Sequence, residues 1–191
     1  MAFQEWLGGI PELRDQAYSP LTLFVPAILN SAGRNKAFFT SEMTLTNRGA
    51  VPAYLTYSYT AHIGGGSGIS TPYVLYPGEQ TIISDAIEHL KELRLPIPET
   101  GDRIGTLRVE PTGFSSSAVT VVVRTTTRVP DGRAGLAYPA VSVEDGFNEA
   151  VYLCGLRQNA QDRSNVAFQN LGTAADGPII LRTTVFSGGG G

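Results

Sequence analysis

An all-β sandwich is the fold class that the sequence predicts, and three observations predict it. About ten segments carry the two-residue period or the continuous apolar run of strands, at spacings of roughly 8–15 residues with turn residues between them. The composition agrees, with 22 glycines and 18 threonines in 191 residues and charged residues at only 16%, below the roughly 25% usual for soluble domains. A single segment has helical spacing.

Residues 1–20 hold Trp6, Leu7, Ile10 and Leu13 between two prolines without a sustained period, and read as a lead-in with a short helical turn around Pro11–Gln16. From Leu21 to Val25 the chain is apolar and β-branched, and Pro26 places this strand at an edge or a strand end. Phe39, Ser41, Met43 and Leu45 alternate with Thr40, Glu42, Thr44 and Thr46, which predicts a half-buried strand closed by the turn Asn47–Ala50. In Val51–His62, Ala53, Leu55, Tyr57 and Tyr59 share one face and Tyr54, Thr56, Ser58 and Thr60 the other. Gly64–Gly68 is a flexible loop, and Pro77-Gly78 a turn between short strands at Tyr73–Tyr76 and Gln80–Ser84.

The helical exception is Ser84–Leu93. Its apolar residues at 86, 87, 90 and 93 fall on one face, Asp85 with Glu88 fits a capping box, and Pro96 and Pro98 stop it. Strands resume at Gly105–Glu110 and Ala118–Thr127. The second, with Val119, Val121, Val122 and Val123 in near-continuous order, suits an interior strand covered on both faces. Val129–Arg133 is a turn before the strand Gly135–Val143, which Pro139 interrupts. Val151–Leu156, Ser164–Asn170 and Ile179–Phe186 have the texture of three more strands.

The resulting organisation is a lead-in at 1–20, a β-sandwich domain at 21–147, a partial second β lobe or completing strands at 148–187, and a glycine tail at 188–191. An internal repeat supports the division. Thr40–Gly49 set against Arg163–Gly172 matches Ser41 with Ser164, Met43 with Val166, Leu45 with Phe168, Asn47 with Asn170 and Gly49 with Gly172.

Charge and cysteine content exclude several functions. With 14 basic and 17 acidic residues the net charge is −3, and no basic run offers a phosphate-neutralising nucleic-acid surface. One cysteine excludes a disulfide scaffold and a Cys-rich zinc site. No stretch approaches the roughly 20 apolar residues of a membrane span, and the start, Met1–Trp6, lacks a basic region followed by an apolar one, so no export signal is expected in the chain as written.

No catalytic, metal or cofactor constellation emerges. His62 and His89 lie in different elements without ligand spacing and are expected to face solvent or pack against loops. Cys154, within an apolar stretch, is expected to be a buried small hydrophobe. The nucleophile elbow Gly-x-Ser-x-Gly is absent, and Gly64–Gly68 lacks the Gly-Lys-Ser/Thr and helix of a phosphate loop. Glu42, Glu79, Glu110, Glu144 and Asp145 could form a glycosidase pair only by converging in space, whereas turn and strand-edge solvation accounts for each. Asp131-Gly132 and Asp176-Gly177 lack the carboxylate run of a calcium loop. The candidate ligand-binding residues are Tyr54, Tyr57 and Tyr59, which could form an aromatic platform for a glycan or a protein; the competing reading puts the Tyr57/Tyr59 face in the core.

The succession Val25-Pro26-Ala27, Thr40 through Gly49, Pro77-Gly78-Glu79, Gly105–Val109, Arg124-Thr125-Thr126, Tyr138-Pro139-Ala140, and Gly155-Leu156-Arg157 through Ser164-Asn165 resembles modules repeated in large secreted or surface proteins of environmental bacteria. Those modules are similar to immunoglobulin-like β-sandwiches, and the resemblance covers about residues 22–187. It implies an immunoglobulin-like antiparallel sandwich with one short helix, and an extracellular or cell-surface spacer, adhesion or interaction module rather than an enzyme. The implied partners are proteins or like modules meeting strand edges, homo-oligomers included, with a carbohydrate-binding module as the alternative. The second lobe, after about three strands, leaves open whether those strands complete the first sandwich, swap onto a neighbour or belong to a longer parent.

Overall fold

The computed structural model describes residues 22–113, 118–147, 149–160, 164–172 and 174–186. The expected helical turn at Pro11–Gln16 and the glycine tail at 188–191 lie outside them. In chain order the strands are β1 (Leu23–Ala32), β2 (Phe38–Asn47), β3 (Ala53–Ile63), β4 (Gly68–Ile69), β5 (Tyr73–Leu75) and β6 (Gln80–Ile83); after helix α1 (Ala86–Glu92) come β7 (Arg103–Thr112), β8 (Val119–Val129), β9 (Gly132–Pro139) and β10 (Val141–Ser142). The protein is therefore all-β with one short helix, as composition and periodicity predict.

All pairings are antiparallel, in one path running β4-β3-β7-β1-β2-β8-β9, with β5 on β3, β6 on β2 and β10 on β1. β1 and β2 join only at their corner, Asn30–Ala32 against Phe38–Thr40. Beyond it β1 runs beside β7 and β2 beside β8. Alternation does the rest: Val25 and Ile28 of β1, Met43 and Leu45 of β2, Leu55, Tyr57 and Tyr59 of β3, Leu107 and Val109 of β7, and Val119, Val121 and Val123 of β8 all enter one core.

Helix α1 lies against β1 and β2 and buries Ala86, Ile87 and Leu90. Asp85 caps it by accepting from the Glu88 N–H at 3.1 Å. Its C-terminus is a Schellman turn, in which the Leu95 N–H reaches the Leu90 carbonyl and the Arg94 N–H the Lys91 carbonyl. Arg94 occupies the left-handed position at φ +74°.

Three local expectations are corrected. Pro26 is not at an edge: β1 has neighbours on both sides, and Pro26-Ala27 forms a bulge where the β7 register shifts between Val25 and Ile28. An edge and a bulge tolerate proline for the same reason, since neither needs its missing N–H. β8 is hydrogen-bonded by β2 and β9 but covered on one face only, because Val122 turns outward while its neighbours Val121 and Val123 turn inward. The strands expected at Val151–Leu156, Ser164–Asn170 and Ile179–Phe186 are not formed, since no strand element lies among the described residues of 149–186. A strand needs a run of hydrogen-bonded neighbours as well as an apolar period, and among the described residues of this stretch only Gln158 is bridged.

Candidate functional site

The tyrosines of β3 do not form one platform. Tyr57 and Tyr59 point into the core with at most 1% of their surface exposed, while Tyr54 faces outward on the opposite side. Burial pushes the Tyr57 and Tyr59 hydroxyls up from their ordinary pKa, keeping both neutral. The Tyr59 ring is fitted against Gly105 of β7, where a Cβ would stand 2.5 Å from the ring and 2.4 Å from the Thr60 carbonyl oxygen. Of the three candidate residues, Tyr54 alone is placed to meet a ligand. Tyr76, in the Pro77-Gly78 turn, is a second exposed ring.

His89 packs edge-on against Tyr57 and Tyr73, at centroid distances of 5.9 and 5.1 Å. Burial pulls its pKa down, favouring the neutral imidazole. His62 is exposed. Cys154 is exposed too, contrary to the expectation of burial, because its apolar neighbours Tyr152 and Leu153 are themselves uncovered.

The carboxylates are engaged locally. Glu42 stands 3.9 Å from Arg124 across the β2–β8 pair, and Glu110 meets Arg108 at 2.7 Å. Glu79 accepts from the Thr81 hydroxyl at 2.6 Å and the Tyr76 N–H at 2.7 Å, which holds its pKa below the usual carboxylate range. Asp145 closes a short turn by accepting from Ser142 Oγ at 2.9 Å. Among the described residues no three His, Cys, Asp or Glu side chains are grouped to hold a metal ion.

A polar cluster that periodicity does not reveal fixes α1 to the sheet. Asn30 Nδ2 donates to both Asp85 carboxylate oxygens, at 3.0 and 2.9 Å, and Arg103 Nη1 donates to the carbonyls of Pro98 and Glu99 at 3.2 and 3.0 Å. Lys91 bridges Glu88, at 2.6 Å, and Glu99. Every charge here is spent on a neighbour, so the cluster positions the helix and the following loop.

Large apolar side chains are uncovered among the described residues between 151 and 186. Val151, Leu153, Leu156, Phe168, Leu181 and Val185 are between 47% and 88% exposed. Gln169 Nε2 donates to the Leu107 carbonyl at 3.5 Å, beside the β1 bulge, and Leu171 lies against Gly146. Among the described residues β9 pairs with β8 alone and leaves its other edge open.

No helix among the described residues is long and apolar enough to cross a membrane. No family model matches the chain, and no curated protein matches it either. A solved structure from Thermotoga maritima, described as Thermotoga maritima 1070, is similar at 9% identity with a TM-score of 0.45, over 64% of this chain and 93% of that one.

Proposed function

We propose that the chain is a non-catalytic structural or adhesive module of a secreted or surface-exposed bacterial protein. In this reading the antiparallel sheet, with its two halves around one core, is an immunoglobulin-like β-sandwich, and like modules join through strand edges. The observation that carries it is the set of exposed apolar side chains between 151 and 186 beside a first lobe that has its own buried core. Strand addition supplies main-chain hydrogen bonds and covers alternate apolar side chains together. The engaged carboxylates and the packed His89 are consistent with a non-enzymatic role.

The test is mass by size-exclusion chromatography with light scattering over a dilution series. A concentration-dependent oligomer that disappears when residues 150–191 are deleted supports the reading, and a monomer at every concentration overturns self-assembly. The second reading, a carbohydrate-binding module, is favoured by exposed Tyr54 and Tyr76, whose rings could stack on a sugar. It requires glycan-array binding that Tyr54→Ala removes.

A further inference from the structure

We infer that residues 151–186 are the first three strands of a second module like the first, and that their exposed face fits a strand pair with the chemistry of β7–β8. This deepens the module reading by naming the partner of that same surface.

Two matched pairs of hydrogen bonds set the correspondence. In the first lobe the Gly49 N–H donates to Asn47 Oδ1 at 2.8 Å, and the Gly172 N–H donates to Asn170 Oδ1 at 2.9 Å. The Leu29 N–H donates to Ser41 Oγ at 3.0 Å, and the Arg157 N–H donates to Ser164 Oγ at 2.8 Å. Ser164 and Asn170 are the residues that repeat Ser41 and Asn47 in sequence, so the same side chains make the same bonds to the backbone. The second pair also aligns a strand that sequence matching misses. If Arg157 stands for Leu29, then Val151, Leu153 and Leu156 stand for Leu23, Val25 and Ile28, with a loop before Ser164 that is shorter than its counterpart. Downstream, Pro178 stands for Pro52, and Ile179, Leu181 and Val185 for Ala53, Leu55 and Tyr59 of β3.

Every first-lobe member of these apolar pairs is buried and every second-lobe member is uncovered. The first lobe shows what the cover is. β7 lies between β1 and β3, hydrogen-bonded to both, and β8 runs along β2; together they bring Leu107, Val109, Val119, Val121 and Val123 over the shared core. The described residues of 151–186 repeat β1, β2 and β3 and contain no counterpart of β7 or β8. The partner is therefore an antiparallel strand pair, one strand bearing alternate Leu/Val residues and the other a Val-rich run, entering between the β1-like and β3-like segments.

The experiment compares the full chain with one in which residues 64–147 are repeated directly after residue 189, so that a copy of β7–β8 follows the β3-like segment in its natural order. Amide hydrogen exchange is read at 151–158, 164–170 and 179–185. The expected result is fast exchange in the original chain and protection higher by on the order of a hundredfold or more in the extended, monomeric one. Leu153→Asp or Phe168→Asp should remove that protection while residues 23–142 keep theirs. Fast exchange in both chains overturns the inference. So does protection already present in the original chain, whether concentration-dependent, which assigns the face to a second copy, or concentration-independent, which assigns it to the first lobe. Mass and protection separate the two readings: an oligomer whose residues 151–158, 164–170 and 179–185 still exchange fast leaves this inference standing, and a monomer leaves it standing while overturning self-assembly.

Discussion

The Tyr138 hydroxyl donates to the Ala27 carbonyl at 2.7 Å, tying the last inward-facing residue of β9 to the bulge in β1. The bulge leaves backbone groups without their ladder partners, and a chain of hydroxyls restores them. Thr125 Oγ1 lies 2.9 Å from the Tyr138 oxygen, Ser41 Oγ 3.2 Å from Thr125, and the Leu29 N–H donates to Ser41. Each hydroxyl has one proton, so the direction is fixed: Leu29 N–H to Ser41, Ser41 to Thr125, Thr125 to Tyr138 and Tyr138 to Ala27.

Tyr138→Phe removes the end of this chain and leaves the Ala27 carbonyl unpaired. The expected cost is about 1–3 kcal/mol, read as a lower urea midpoint. Thr125→Val added to Tyr138→Phe should cost less than the two single losses together, because the pair belongs to one network. Strict additivity would refute the relay.

Asn47 is fully buried, with Nδ2 donating to the Val51 carbonyl at 2.9 Å and the Leu75 carbonyl at 3.0 Å while Oδ1 accepts from Gly49. Asn47→Ala abandons all three groups and should cost about 3 kcal/mol. Asn170→Ala at the repeated position, where the side chain is exposed, should stay within about 0.5 kcal/mol. Thermal melts of the two variants make the comparison.

Arg94 ends the helix in the left-handed region, where a side chain is disfavoured. Arg94→Gly relieves that at a cost in unfolded-chain entropy, and should stabilise the protein by about 0.5–1 kcal/mol. Chemical denaturation with an unchanged m-value would show it, and a drop in stability would contradict it.

His89 gives a pH dependence of definite sign. Burial lowers its pKa below the ordinary value of about 6.5, so between the two values the unfolded chain binds more protons than the folded one. Its contribution to stability is complete above pH 6.5 and is lost as pH falls through the folded value. The urea midpoint should fall between pH 7.5 and pH 5.5, and His89→Phe, which keeps an aromatic ring beside Tyr57 and Tyr73, should flatten that fall.

In the first lobe the strands and their inward faces were legible, because there the two-residue period coincides with a hydrogen-bonded neighbour: Ser41, Met43 and Leu45 are inward as their spacing requires. The order of the strands was not, since periodicity does not say which strands pair. The helix was legible from Asp85 and the apolar residues at 86, 87 and 90, although Glu88 leaves the expected capping box to meet Lys91. Pro26 could not be placed, since sequence does not distinguish two sites that both dispense with an N–H. Nor could Cys154, because an apolar neighbourhood along the chain becomes burial only when another element covers it. Periodicity put Tyr57 and Tyr59 on one face and Tyr54 on the other, but which face meets the core depends on β7 and α1. The Asn30–Asp85 and Tyr138–Ala27 contacts join positions far apart in the chain, and neither end carries a local signal.

The partners of β1 govern the order of folding. Leu23 is opposite Val109 on one side and Ser142 on the other, so the first strand of the lobe is held by segments made long after it. During synthesis β1 must wait, unpaired along its first half, until β7 and then β10 emerge. A topology dominated by such distant pairings folds slowly, in roughly milliseconds to seconds. Until those segments are made, the apolar residues Val25 and Ile28 lack the cover that β7 gives them in the finished lobe.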